Sequence, residues 1–263
     1  MTLIIASKED PASSSMGDFL VRNYNFMPKE SVTDEFIMSD FLLKFIEQKH
    51  LYYEGMDEDA KRSGNSTGII ILSKHSSAAD IKSLTVHPTG NFGDAQLGGS
   101  PGMLSMTDPI AMTEALRNIR NNYKGNAFSV TFEATHHGPF IRTPNYFVEI
   151  GTTKDQWEDR GALKAVCDSI LQRRGNKFRN YVGIGGGHYM PKITTYALEN
   201  NVNIGHMIPK YQSEVVNSDI IRQAVSMTPE CAGFIMDRKG MKANIREMVS
   251  SIARDQNLEI IEI

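Results

Sequence analysis

Ala127-Phe-Ser-Val-Thr-Phe-Glu-Ala134 alternates apolar and polar side chains, the period of a strand with one face in a core. Phe128, Val130, Phe132 and Ala134 fall on the core side, and Ser129, Thr131 and Glu133 on the other. The run continues into Thr135-His-His-Gly-Pro139. Pro has no N–H for a ladder and Gly weakens extended backbone, so the strand ends there. A carboxylate and two imidazoles therefore stand at a strand end, where connecting segments carry function. In a continuing strand His136 and His137 would point to opposite faces, and Glu133 and His137 would lie roughly 13 Å apart at about 3.3 Å per residue. Cooperation requires the chain to bend near Thr135, or each group to work with residues from elsewhere. Otherwise the two are ordinary polar loop histidines.

Working outward, Gly68-Ile-Ile-Ile-Leu72 is a fully apolar run of the kind buried in parallel sheets. Leu3–Ala6, Leu84–Val86, Tyr146–Ile150, Tyr181–Ile184 and the closing Leu258–Ile263 read as further strands. Between them lie helical patterns. A polar loop over Ser7–Ser15 precedes a helix from Gly17, and Asp108-Pro109 supplies an N-cap and a first-turn Pro. Met112, Ala115, Leu116, Ile119 and Tyr123 then form one buried stripe, as do Trp157, Leu163, Val166 and Ile170, and later Ile245, Met248, Val249 and Ile252. Residues 34 to 53 fit strand or helix equally. Strands alternating with helices predict a three-layer α/β fold around a largely parallel sheet, in one domain spanning residues 1–263.

Composition narrows the class. The chain has 263 residues, 40% hydrophobic and 22% charged, which is ordinary for a globular protein. A net charge of −3 argues against general nucleic-acid coating but leaves room for a local basic patch. Cys167 and Cys231 stand far apart, so neither a zinc knuckle nor a disulfide framework is expected. No apolar run approaches the roughly 20 residues of a membrane span, and Met-Thr-Leu-Ile-Ile-Ala-Ser7 lacks the basic start of a signal peptide. A cytoplasmic protein is expected.

Histidine placement carries the chemistry. Six of the seven, His75, His87, His136, His137, His188 and His206, follow strand-like runs or sit in Gly/Pro-rich loops; only His50 does not. Ser73-Lys-His-Ser-Ser77 is one such polar exit. In an open α/β sheet the loops at the carboxyl ends of strands converge on one crevice. Imidazoles there, with Glu133, Glu149 and Glu214, would supply N and O ligands for one or two metal ions. The alternative is a set of scattered histidines with separate structural roles. Gly183-Ile-Gly-Gly-Gly-His188 is not a dinucleotide motif, since His188 replaces the third glycine. Its glycines would let backbone amides approach an anion. Arg173, Arg174, Lys177 and Arg179, with Phe178 and Tyr181, are the densest basic cluster. It reads as a phosphate grip with stacking side chains or as a solvated helix end.

Ser73-Lys-His-Ser76, Leu84-Thr-Val-His-Pro-Thr-Gly-Asn91, Glu133-Ala-Thr-His-His-Gly-Pro139, Phe147-Val-Glu-Ile-Gly-Thr152, Gly183-Ile-Gly-Gly-Gly-His-Tyr-Met-Pro191 and Gly205-His-Met-Ile-Pro-Lys-Tyr211 together resemble the archaeal and plant type of D-aminoacyl-tRNA deacylase. The resemblance covers essentially the whole chain. It implies a fold similar to the phosphorylase and peptidyl-tRNA hydrolase group, three layers around a mixed sheet. The implied reaction is hydrolysis of the ester joining a D-amino acid to the tRNA 3′ end, with up to two zinc ions held among His75, His87, His136, His137, His188 and His206. In that scheme Glu133 is the general base, with His136, His137 and His188 beside it at the reaction centre. Amides of Gly185, Gly186 and Gly187 would stabilise the oxyanion. Tyr189, Lys192, Lys210, Arg173 and Arg174 would hold the acceptor end, and the enzyme would act as a monomer without an obligate protein partner. Two other schemes fit the same residues: a metal-free one using a histidine base and the 2′-hydroxyl of the tRNA, and a metallo-peptidase or phosphorylase-like enzyme acting on small molecules. A non-catalytic RNA-binding role fits the acidic chain less well.

Overall fold

The computed structural model describes residues 1–30, 32–76 and 81–263; Ser77 of the polar exit lies outside them. The strands are β1 (Thr2–Ser7), β2 (Met27–Pro28), β3 (Glu35–Met38), β4 (Phe41–Ile46), β5 (Gly68–Lys74), β6 (Ser83–His87), β7 (Ser129–Phe132), β8 (Asn145–Ile150), β9 (Arg179–Ile184), β10 (Val202–Ile208), β11 (Cys231–Met236) and β12 (Glu259–Glu262). The helices are α1 (Pro11–Asn23), α2 (Met56–Arg62), α3 (Pro109–Asn122), α4 (Lys154–Trp157), α5 (Arg160–Leu171), α6 (Pro191–Glu199), α7 (Ser218–Ser226) and α8 (Ala243–Gln256).

The expected α/β fold with a largely parallel sheet is present, and it divides in two. Eight strands run β2-β3-β4-β1-β5-β8-β6-β7, and four more run β10-β9-β11-β12. The smaller sheet is parallel throughout. In the larger one β4, β1, β5 and β8 are parallel, while β6 runs against β8 and carries β7 parallel to itself. Residues paired in register point to the same face. One face of the large sheet therefore buries Ile4, Ile70, Val86, Phe132 and Val148 against α1, α3 and α5, in a core continuous with Tyr181, Ile204 and Ile235 of the small sheet. The opposite face carries Leu3, Ile5, Ile71 and Phe147, and then, toward β6, an unusual set of buried polar groups: Ser73, Thr85, His87 and Glu149.

Helix starts follow local chemistry. Asp108 and Asp159 accept from Ala111 N and Ala162 N and begin α3 and α5. The first helix begins earlier than expected. Asp10 accepts from Ser13 N at 2.9 Å and Pro11 takes the first turn, so the serine-rich stretch is helix rather than loop. Ser13 Oγ, turned inward, accepts from Ser7 N at 2.8 Å. Residues 34 to 53 resolve into β3 and β4, followed by a short turn at His50–Tyr52. Both cysteines are free thiols.

Candidate active site

The 132–135 segment is the seam between the two sheets. Glu133 N donates to Val86 O of β6 at 3.1 Å, Ala134 N to His188 O at 2.8 Å, Met190 N to Phe132 O at 3.1 Å and Thr135 N to Met207 O of β10 at 3.0 Å. Beyond it the chain bends, one of the two conditions for these residues to cooperate: His137 sits at φ +43°. The bend brings the His136 and His137 rings within 4.3 Å of each other and the His87 and His136 rings within 4.1 Å.

Three of these imidazoles are oriented in one way. His87 Nδ1 lies 3.2 Å from Pro88 O, His136 Nδ1 2.8 Å from Ala134 O, and His137 Nδ1 2.7 Å from Gly138 O. A carbonyl only accepts, so each Nδ1 carries a proton and donates, which leaves the Nε2 of neutral His136 and His137 with a lone pair; burial disfavours a second proton on His87, but Glu149 beside its Nε2 outweighs burial and raises its pKa. One nitrogen from each ring falls within a 4.8 Å cluster. Backbone carbonyls that fix the tautomer and aim of imidazoles are the usual support of metal ligands. Burial pushes His136 down to about 3 and His137 well below its ordinary value, so both are neutral and able to ligate near pH 7.

Carboxylates close the other side. Glu133, fully buried, has Oε1 2.9 Å from His75 Nδ1 and Oε2 3.0 Å from His188 Nε2, with His136 Nε2 at 3.7 Å. Glu149 lies 3.4 Å from His75 Nδ1 and 3.6 Å from His87 Nε2. The Nε2 of His75 meets Tyr189 Oη at 2.7 Å. Burial disfavours the charged forms here, yet the histidine contacts outweigh it and hold both carboxyls well below the usual range. By the same contacts His75 is raised to about 10, against its burial. The directions of these contacts are poor, however. Both Glu133 oxygens and His87 Nε2 are buried without a well-aligned hydrogen-bond partner. Orphaned acceptors beside converging nitrogens fit a cation site of mixed N and O donors. His75, Glu133 and His188 make one potential ligand group; His87, Glu133 and Glu149 make another.

Other expected residues stand elsewhere. His206 does not join the cluster: Nδ1 pairs with Thr135 Oγ1 at 3.0 Å and Nε2 with Ser105 O at 2.9 Å, so both nitrogens are committed to holding the seam. Glu214 is exposed and pairs with Lys242. Arg173 and Arg174 are not at the site. Arg173 reaches Thr2 Oγ1 and packs over Phe41, at the amino ends of β1 and β4, about 20 Å along β5 from His75. The Arg174 and Gly175 amides bond Glu114 of α3. Of the glycine amides, Gly185 N donates to Ile208 O and Gly186 N to Gly240 O, leaving only Gly187 uncommitted among the described residues. Gly185, Gly186, Gly187, Lys192 and Asp237 nevertheless line a cavity of about 340 Å³ that opens at His188 and Tyr189, where Lys192 pairs with Asp237 at 2.7 Å. A second cavity of about 370 Å³ opens at His136 and His137. It was not legible beforehand; a Gly-flanked run from Gly90 to Gly99 was its only trace in the sequence.

Comparison with known proteins agrees with this geometry. A family model described as D-aminoacyl-tRNA deacylase matches residues 63–261. A D-aminoacyl-tRNA deacylase of Thermoplasma acidophilum is 47% identical over 264 residues, covering all of both chains. That of Methanosarcina mazei is 38% identical over 98% of this chain and 91% of its own. That of Pyrococcus furiosus is 32% identical over the whole of both. A crystal structure of a conserved protein of unknown function superposes with a TM-score of 0.93 at 30% identity, covering 100% of this chain and 95% of that one. The chain belongs to the D-aminoacyl-tRNA deacylase family.

Proposed function

We propose that this member of the family hydrolyses the ester linking a D-amino acid to the terminal ribose of tRNA, as a zinc-assisted chiral proofreading enzyme of the cytoplasm, working as a monomer. It is a hydrolase by family, and none of its described helices is long and apolar enough to cross a membrane. The observation that carries the reading is the cluster of one imidazole nitrogen each from His87, His136 and His137, with His136 Nε2 3.7 Å from the Glu133 carboxylate.

Zinc fits these donors by type: neutral imidazole nitrogens with carboxylate oxygens. His87, His136 and His137 would hold one ion; His75, Glu133 and His188 are a second possible donor set, left without an ion in this scheme so that Glu133 and His188 can move a proton. When bound, zinc supplies Lewis acidity toward an ester carbonyl and toward water. Glu133 stays ionised and is the proton acceptor. A carboxylate held this low is a weak base, so its proton must be passed on. His188, partly exposed and 3.0 Å from Glu133 Oε2, is placed to deliver it to the leaving ribose oxygen. Tyr189 steadies His75, which in turn braces Glu133. Lys192, which lines the cavity at His188, and Lys210, whose amide bonds Gly186 O, supply positive charge for the acceptor end.

The test is deacylation of matched D- and L-tyrosyl-tRNA, with and without added zinc. Release from the D ester with the L ester spared is expected; equal rates, or no release from either, would overturn the reading.

A further inference from the structure

Two cavities border the imidazole cluster, one lined by His188 and the other by His136 and His137. An ester also has two halves, and here they differ in charge. One is a nucleotide bearing phosphates, and the other is an aminoacyl group bearing an ammonium. We infer that the cavity at His136 and His137 is the aminoacyl subsite, with Asp94 taking the α-ammonium and Phe92, Leu97 and Val215 taking the side chain. This rests on the deacylase reading above and adds to it which half goes where.

The lining decides the polarity. The cavity at His188 has Lys192 in its wall, and Lys210 is tied to the same loop by its amide, 2.9 Å from Gly186 O. The other cavity has no Lys or Arg in its lining; Asp94 is its one charged liner apart from the histidines. Asp94 is exposed and in no ion pair among the described residues. An uncompensated carboxylate attracts an ammonium and repels phosphates, so the reversed placement would set phosphates against Asp94, whereas the cavity at His188, where Lys192 is balanced by Asp237, opposes neither half. The apolar part of the wall is equally unspent. Leu97 is 52% and Val215 46% exposed, and Phe92 lies buried behind them. Exposed aliphatic groups at a cavity mouth are ordinary features of a site that covers a side chain on binding. The floor is rigid. Asn91 Nδ2 donates to Gly98 O at 2.9 Å, and Gly138 N to Leu97 O at 3.0 Å. That second bond ties the cavity wall to the turn that aims His137. At about 370 Å³ the space is at the small end of ligand pockets, suited to one amino acid.

The experiment measures kcat/KM for D-tyrosyl-tRNA, N-acetyl-D-tyrosyl-tRNA and D-alanyl-tRNA with the wild type, Asp94→Asn and Val215→Trp. Asp94→Asn is expected to lower the rate on D-tyrosyl-tRNA about tenfold while leaving the N-acetyl ester, which has no ammonium, within twofold. Val215→Trp is expected to cut D-tyrosyl-tRNA at least tenfold and D-alanyl-tRNA less than threefold. The unchanged substrate in each case reports that the variant is folded. Equal effects on all three esters, or none, would overturn the assignment while the wild-type rates keep the deacylase reading standing. A wild type inactive on every ester would remove both.

Discussion

Two clusters stand out in the sequence, the histidines of strand exits and the basic run from Arg173 to Arg179, and the fold treats them in opposite ways. The histidines come from segments up to 113 positions apart (His75 to His188) and meet around one carboxylate. The basic residues are neighbours in sequence and are dispersed. Arg173 packs over Phe41, Arg179 pairs with Glu259, and the Phe178 ring lies under Arg117. Strand pairing explains the difference. Ser73 of β5 and Thr85 of antiparallel β6 both lie level with Glu149 of β8, so exits of opposite direction meet beside one carboxylate whatever their order in the chain. A run of charges between α5 and β9 has the seven residues 172–178 in which to leave one element and enter the next, at the amino edge of the sheet. Convergence belongs to topology and not to local density.

That contrast can be broken most directly at Glu133. Glu133→Gln should lower kcat/KM for D-tyrosyl-tRNA by about 10³-fold, with the far-ultraviolet dichroism unchanged. A loss below tenfold would mean that the converging groups are structural. The next largest effect is on stability. Zinc at about a hundred times its dissociation constant should raise the unfolding free energy by about 2.7 kcal/mol. The increment should vanish in a His87→Ala, His136→Ala double variant, read by chemical denaturation with and without a chelator; an unchanged midpoint would count against the metal site.

His206 sharpens the comparison as the one expected ligand that turned out to be a brace. Burial lowers it to about 4. The folded value lies below the unfolded value of about 6.5, so between the two the unfolded chain binds more protons. The stability it contributes is complete above that window and falls with pH through it. Wild type should lose roughly 2 kcal/mol more than His206→Gln between about pH 7.5 and about pH 5, measured by urea titration. Equal losses would show that folding leaves the His206 pKa unshifted. The smallest effect is expected from the dispersed cluster. Arg173→Ala should leave kcat/KM within twofold and lower the melting temperature by about 2–4 °C, the mark of about 1 kcal/mol in a chain of this size. A tenfold rise in KM would restore the basic run as an RNA contact.

Much of this was legible because strand residues report their own faces. The alternation over 127–134 placed Phe128, Val130, Phe132 and Ala134 in the core and Glu133 opposite them, which is where they lie. Asp108-Pro109 and the Gly68–Leu72 run were equally explicit. The start of α1 was missed because serines score as loop formers, while Ser13 faces inward toward Ser7 N, a contact only the fold provides. The division into two sheets left no local signature, since β9 reads like any buried strand. Separating His206 from the other five was also out of reach. Its partners are Thr135 and a carbonyl of Ser105, and nothing within ten residues of it announces them.

Glu133 receives His75 from the large sheet and His188 from the loop after β9 of the small one, while its own segment is laced to both. A hinge-like loosening between the sheets would therefore cost turnover long before either sheet lost its ladder. In mild denaturant, or near the upper edge of its working temperature, the molecule should fall silent while still spectroscopically folded. Its catalytic rate is in that sense a strain gauge for the joint.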